Sequence, residues 1–278
     1  MYCVEIKLQP TAALTFRMLP GSILNIATYP FLPPTSLSGY LRRLGMMRAE
    51  LDIPETKINK ENPFTYLLPQ RYITLGAHPN RGKLSGIHKT YRKGMREFNH
   101  DDFSKIYSEG DRANFQLHTW EYLITEELIG YVVTESAADL EHIRDLQDYG
   151  CYIGKEGYAF ISEVSEVIEL KTQRIAAYPS TLVTMDELIQ SGQLVGGCDI
   201  YNLYRYNWLP EAKNQSNQDG FFGTQPTAVD GFIPFVAAYF PKQLGNPPML
   251  DYYTDGEEIF IPVDLVNLLG GKTYAPSL

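Results

Sequence analysis

The chain has 278 residues, 44% of them hydrophobic, with 13 Phe and 20 Tyr, a composition that excludes general disorder and leaves room for one large domain or two modest ones. The aromatic content favours a sheet-rich fold. A net charge of −9 argues by its sum against a nucleic-acid partner, yet the charge is unevenly placed: residues 1–105 hold 15 basic and 8 acidic side chains, and residues 106–278 hold 9 and 25. The two parts are expected to face different partners.

Val4, Ile6 and Leu8 alternate with Glu5, Lys7 and Gln9, the period of a half-buried strand closed by Pro10. Leu14 to Leu19 is a second extended piece carrying Arg17. Pro33-Pro34 then stops anything helical, Thr35 or Ser36 is the expected N-cap, and Leu37, Tyr40, Leu41, Leu44 and Leu51 fall on one helical stripe. Gly39 on this helix points to close approach of a ligand or backbone, or to a packing contact. Arg42, Arg43 and Arg48 lie mostly off the stripe, and the first turn is an anion site by geometry. Pro54 to Pro69 is a connector.

From Arg71 to Arg96 the chain carries Arg71, Arg81, Lys83, Lys89, Arg92, Lys93 and Arg96 without one Asp or Glu. Tyr72, His78, His88 and Tyr91 are interleaved with these charges, and Gly76, Pro79, Gly82, Gly86 and Gly94 interrupt them. The pattern is that of a protruding basic loop or hairpin able to grip single-stranded nucleic acid, or of a merely solvated face. Phe98 to Ser108 is acidic and aromatic. Phe115 to Ile124 and Leu128 to Thr134 are strands, and Glu126-Glu127 between them suggests a hairpin. Ser136 and Asp139 form a capping-box-like start for a second helix with Leu140, Ile143 and Leu146 inside. Gly154-Lys155-Glu156-Gly157 is a tight turn, and Val164 to Leu170 continues the sheet. From Lys171 on, short strands alternate with Pro/Gly loops, and Asn214 to Gln218 is a polar loop.

Cys3, Cys151 and Cys198 are far apart and form no CxxC pair, which predicts neither a zinc site nor a disulfide framework and places the chain in a reducing cytoplasm. No signal segment or membrane span is expected. There is no GxxxxGK[ST], HExxH or GxSxG motif, so no cofactor and no metal are expected. Trp120 and Trp208 are expected in the core.

The first strand, the Tyr29-Pro30 to Ser36 approach, the Leu37-Ser38-Gly39-Tyr40-Leu41 helix start and the expected Leu117 to Thr134 hairpin together resemble the Cas-five family of CRISPR-associated RAMP-superfamily proteins, over roughly the first 165 residues. The resemblance implies an α+β fold: a ferredoxin-like (RRM/RAMP) domain over residues 1–165 with an inserted basic thumb hairpin at about 77–112, then a β-rich C-terminal region, 166–278. It implies a noncatalytic subunit of the type I surveillance complex, Cascade, that binds the 5′ handle of CRISPR RNA. Its partners would be the Cas-seven backbone subunit and the large subunit, with target DNA engaged only indirectly. Phosphates would meet Arg71, Arg81, Lys83, Lys89, Arg92, Lys93 and Arg96, with Ser36, Arg42 and Arg43, and bases would stack on Tyr29, His88 or Tyr91. Two alternatives remain. One branch of that family cleaves repeat RNA without metal, and His88, Lys89 and Tyr91, or His118 and Tyr122, have the residue types for it. The other is a protein-interaction module without nucleic acid.

Overall fold

The computed structural model describes residues 1–18, 25–50, 71–95, 115–192, 197–206 and 232–270, excepting the side chains of 92–95, 115–118, 206 and 232. Strand β1 (Tyr2–Pro10) fully buries Cys3, Val4, Ile6 and Leu8, as its alternation requires of a strand with a covered face. After a short β2 (Asn25–Ile26), helix α1 (Pro34–Arg48) buries Leu37, Tyr40, Leu41 and Leu44, the expected stripe, while Leu51 lies outside the described residues. The N-cap is Pro33 rather than Thr35 or Ser36, and no side chain caps the helix. Pro34 explains this: at the first helical position its fixed φ suits the helix, and it lacks an N–H that would go unpaired there in any case.

Strands β3 (Ile73–Pro79), β4 (Ser85–Met95), β5 (Phe115–Thr125) and β6 (Leu128–Thr134) pair as β3 with β6 and β4 with β5. The expected hairpin between β5 and β6 does not form. Almost every residue of β6 is buried, so the strand belongs inside the main sheet between β1 and β3, and Glu126-Glu127 carries the chain onward instead of back. The Asn80 N–H donates to the Glu127 carbonyl (3.0 Å) and the Glu126 N–H to the Leu84 carbonyl (3.1 Å), so the two pairs are one ribbon bent at this point. The basic ribbon β4–β5 leaves the sheet there. Residues 96–114 lie outside the described residues, as do the Pro54 to Pro69 connector, Trp208 and the 214–218 segment.

A 3₁₀ turn over Ala137–Leu140 leads into α2 (Glu141–Arg144), and Leu140, Ile143 and Leu146 are buried as expected. The element is shorter than its stripe suggested, and Ser136 makes no side-chain cap. Asp139, its expected capping-box partner, instead faces Arg71 at 3.5 Å. Strands β7 (Gly150–Tyr152) and β8 (Tyr158–Val164) form a hairpin around the glycine loop, and β9 (Ile168–Glu169) pairs with β1. Gly154 has φ +70°, and a Cβ on it would lie 2.5 Å from the Thr15 carbonyl oxygen, so only glycine fits.

The main sheet runs β3-β6-β1-β8-β7. With β1, β3, β6 and β8 as the strands of a βαββαβ unit, and α1 and α2 as its helices, the spatial order is second, third, first, fourth. This is the ferredoxin-like α+β arrangement. The rest of the chain adds β10 (Lys171–Ala176), β11 (Val183–Thr184), α3 (Met185–Gln190), β12 (Asp199–Tyr206), β13 (Phe232–Tyr239), β14 (Met249–Thr254), β15 (Phe260–Pro262) and α4 (Val263–Leu269). Its strands form two three-stranded sheets, β10-β14-β15 and β11-β13-β12, the expected β-rich region.

An aromatic cluster joins the two parts. Phe31, fully buried, lies 5.3 Å from His78, 5.3 Å from Tyr201 and 5.0 Å from Tyr239, ring centroid to centroid. His78 stacks on Tyr239, and neither of its ring nitrogens has a hydrogen-bond partner. Burial, helped by the nearby Arg81 charge, drives its pKa from 6.5 down to about 3. Between those two values the unfolded chain binds a proton that the native chain refuses, so acid favours unfolding. Stability is complete above pH 6.5 and falls by about 1.4 kcal/mol per pH unit below it. A His78→Phe variant is expected to flatten the acid limb of a Tm-against-pH curve, and an unchanged limb would assign the acid sensitivity to other groups.

Candidate nucleic-acid interface

Between the start of α1, the β7–β8 loop and β12 lies a cavity of about 540 Å³, lined, among the described residues, by Arg17, Arg43 and Lys155 and by no Asp or Glu. Each cation arrives on a different element. Arg17 sits on the extended piece that bridges to Thr28, Arg43 on α1, and Lys155 on the glycine loop. The loop is pinned by the Lys155 N–H donating to the Thr15 carbonyl (2.9 Å) and the Thr15 N–H to the Glu156 carbonyl (3.0 Å). The Lys155 ammonium lies 4.4 Å from the Trp120 ring centroid, a cation–π contact that positions the charge without neutralising it. Trp120 is itself half-buried, its indole N–H donating to Thr15 Oγ1 at 3.2 Å.

The Nε atoms of Arg17 and Arg43 are buried and make no hydrogen bond. A buried donor without an acceptor costs about 1–3 kcal/mol. Thr35 and Ser36 bring the N-terminal turn of α1, the positive end of the helix dipole, to the same space. Gly39 is exposed and lines the cavity, and a Cβ there would meet nothing within 4 Å, so packing does not explain this glycine.

Tyr29 and Tyr40 are fixed walls of this cavity: the Tyr29 hydroxyl donates to the Asn202 carbonyl and the Tyr40 hydroxyl to the Ala159 carbonyl at 2.8 Å. The Tyr29 ring is buried against Phe31 and Tyr201, which removes it as a free stacking surface for a base. Tyr152, 72% exposed at the rim, offers a ring in its place.

The remaining expected residues form separate groups. Arg81 and Lys83 line a second cavity at the foot of β4. His88, Lys89 and Tyr91 are exposed on β4, an edge strand, with His88 on the face opposite to Lys89 and Tyr91. Arg92 and Lys93 continue that strand, with side chains outside the described set, and Arg96 lies outside it altogether. Lys89 faces Glu121 at 3.7 Å and the highly exposed Arg71 faces Asp139 at 3.5 Å. Both cations are solvent-exposed, while the carboxylates they face are largely covered. Arg42 is half-buried on α1 and does not line the first cavity. His88 stands across the ribbon from Tyr122, whose hydroxyl is 3.3 Å from Glu156 and whose ring is buried. Arg17, Tyr152, Lys155 and, at the second cavity, Lys242 were not singled out from sequence. Only the glycine loop around Lys155 left a visible signal, and that signal also fits an ordinary turn.

Among the described residues no cluster of three or more His, Cys, Asp or Glu side chains is placed to hold a metal, and no helix is long and apolar enough to cross a membrane. Cys3 and Cys151 are buried free thiols; burial raises the Cys151 pKa to about 11, against the nearby Arg43 charge.

No family model and no curated protein matches this chain. Among solved structures it is similar to a chain in the cryo-EM structure of the type III-B Cmr-beta complex bound to cognate target RNA and AMPPnP. There the TM-score is 0.42 at 10% identity, covering 84% of this chain and 86% of the other. It is also similar to a CRISPR protein from Archaeoglobus fulgidus solved by crystallography, with TM-score 0.37, 10% identity, and coverage of 94% and 99%. A further Cmr-beta structure bound to cognate target RNA gives TM-score 0.38, 9% identity, and coverage of 84% and 86%. The assignment of a ferredoxin-like fold rests on the strand order itself.

Proposed function

We propose that this chain is a noncatalytic RNA-binding subunit of a CRISPR ribonucleoprotein, of the Cas-five kind. In this reading it holds the 5′ handle of CRISPR RNA, caps the backbone of a type I Cascade beside a Cas-seven subunit, and contacts the large subunit. The observation that carries the RNA-binding part is the cavity where Arg17, Arg43 and Lys155 converge at the start of α1 with no carboxylate among the described lining residues. Cations gathered without counter-charge repel one another, and a polyanion turns that repulsion into binding. The Cas-five assignment draws on the Tyr29 to Leu41 resemblance. The acidic balance of residues 106–278 suits surfaces that dock protein.

The test is to purify the assembly from its native host, measure its ultraviolet absorbance for nucleic acid, and sequence the ends of any RNA it holds. The expected result is bound RNA with one common, repeat-derived 5′ end. An assembly free of RNA would favour a protein-interaction module and overturn the proposal. RNA with scattered ends would overturn the handle-binding role.

A further inference from the structure

The second cavity, of about 520 Å³, draws its lining from both parts of the chain: Arg81 and Lys83 from the turn between β3 and β4, Lys242 from the segment after β13, and, among the described residues, no Asp or Glu. The turn is built firmly. The Lys83 N–H donates to the Asn80 carbonyl at 3.0 Å and the Gly82 N–H to Asn80 Oδ1 at 2.9 Å. An Arg81 Nη lies 3.4 Å from the carbonyl oxygens of both Pro179 and Phe240, so the C-terminal region itself braces this guanidinium. Those neutral contacts orient the cation.

Lys242 is notable for where it stands. Residues 106–278 carry 9 bases against 25 acids, and one of the few bases is placed opposite two cations of the N-terminal region. The described charged groups around this space are Arg81, Lys83 and Lys242, with Asp199 paired across the strands with Tyr239 and the Glu127 carboxylate held by the Asn80 side-chain amide. Positive charges gathered from two sheets repel one another unless an anion lies between them.

The two cavities are also neighbours. Tyr29 lines the first and Pro30 the second, and consecutive Cα atoms are only about 3.8 Å apart. Resting on the RNA-binding reading above, we infer that the two cavities form one track, in which Arg81, Lys83 and Lys242 hold the phosphates of single-stranded RNA leaving the first cavity. The C-terminal region then belongs to the RNA grip as well as to protein docking. RNA is favoured over an acidic protein because the track continues a cavity that combines cations, a helix N-terminus and an exposed ring.

The experiment uses the full chain and labelled single-stranded RNAs of about 4 and about 16 nucleotides, spanning the range of common single-strand site sizes. Lys242 is exposed, so Lys242→Glu leaves the fold intact. It is expected to weaken binding of the longer RNA about 10-fold, and Lys242→Gln to reduce the slope of log affinity against log salt by about 0.7. Arg43→Gln in the first cavity should weaken both RNAs. Loss with Arg43→Gln but not with Lys242→Glu overturns the track and leaves the RNA-binding reading standing. No loss with either variant, or no binding by the wild type, overturns both. If Lys242→Glu disturbs only assembly with partner subunits, the second cavity is a protein-docking site and the inference falls.

Discussion

Replacing Arg17, Arg43 and Lys155 together by glutamine is expected to lower affinity for single-stranded RNA about a thousand-fold at fixed salt. Each charge-assisted bond to phosphate is worth about 1.5 kcal/mol at the low end of its range, and about 1.4 kcal/mol is tenfold in affinity. The three residues share one cavity, so single substitutions will not sum cleanly to the triple. The salt dependence gives a second, independent readout. Loss of three phosphate contacts should reduce the slope of log affinity against log salt by about 2, since each contact on a single strand contributes about 0.7. Folding should not suffer. The substitutions remove mutually repelling charges and, for Arg17 and Arg43, buried Nε donors that have no acceptor, so the Tm of the triple variant should hold or rise. A fall in affinity with an equal fall in Tm would mean that the residues serve the fold. An unchanged salt slope would mean that RNA does not enter this cavity.

Sequence periodicity revealed those elements whose own residues decide them. The Val4, Ile6, Leu8 alternation makes β1, and the Leu37, Tyr40, Leu41, Leu44 stripe makes α1, because burial of one face is a local property of spacing. The order of strands and helices then leads to the ferredoxin-like sheet. Pairing is less local. Glu126-Glu127 looks like a hairpin turn, but β6 is so thoroughly buried that it takes a central place between β1 and β3, leaving β5 to pair with β4. The basic stretch from Arg71 was legible as charge but not as a patch. Its first third is buried in the main sheet as β3, His78 joins the aromatic cluster, and Arg81 and Lys83 face a cavity distinct from that of Arg43. Arg17 and Lys155, far apart in the chain, meet because the glycine loop hydrogen-bonds to Thr15. A single sequence contains no signal for such a meeting.

Phe31→Ala is expected to be the most damaging single substitution for stability, at about 3–5 kcal/mol, the usual range for removing a buried Phe side chain. The upper part of that range applies because the ring is fully buried and because Tyr29, His78, Tyr201 and Tyr239, which surround it, are anchored on four separate segments that cannot all close on the gap. Phe31→Leu keeps most of the volume and should cost about 1.5 kcal/mol or less. Urea unfolding measures both losses, and the shape of the curve carries further information. Tyr201 and Tyr239 belong to the β11-β13-β12 sheet, whereas His78 belongs to the main sheet, so the missing ring should loosen the two sheets from each other and lower the apparent m-value as the transition ceases to be two-state. The acid response should change as well. A cavity beside His78 lets water reach the imidazole and moves its native pKa from about 3 back toward 6.5, so the stability lost between those values shrinks and the acid limb becomes shallower. A cost under about 1 kcal/mol, with the acid limb as steep as in the wild type, would show that the cluster repacks and that the two sheets are joined elsewhere.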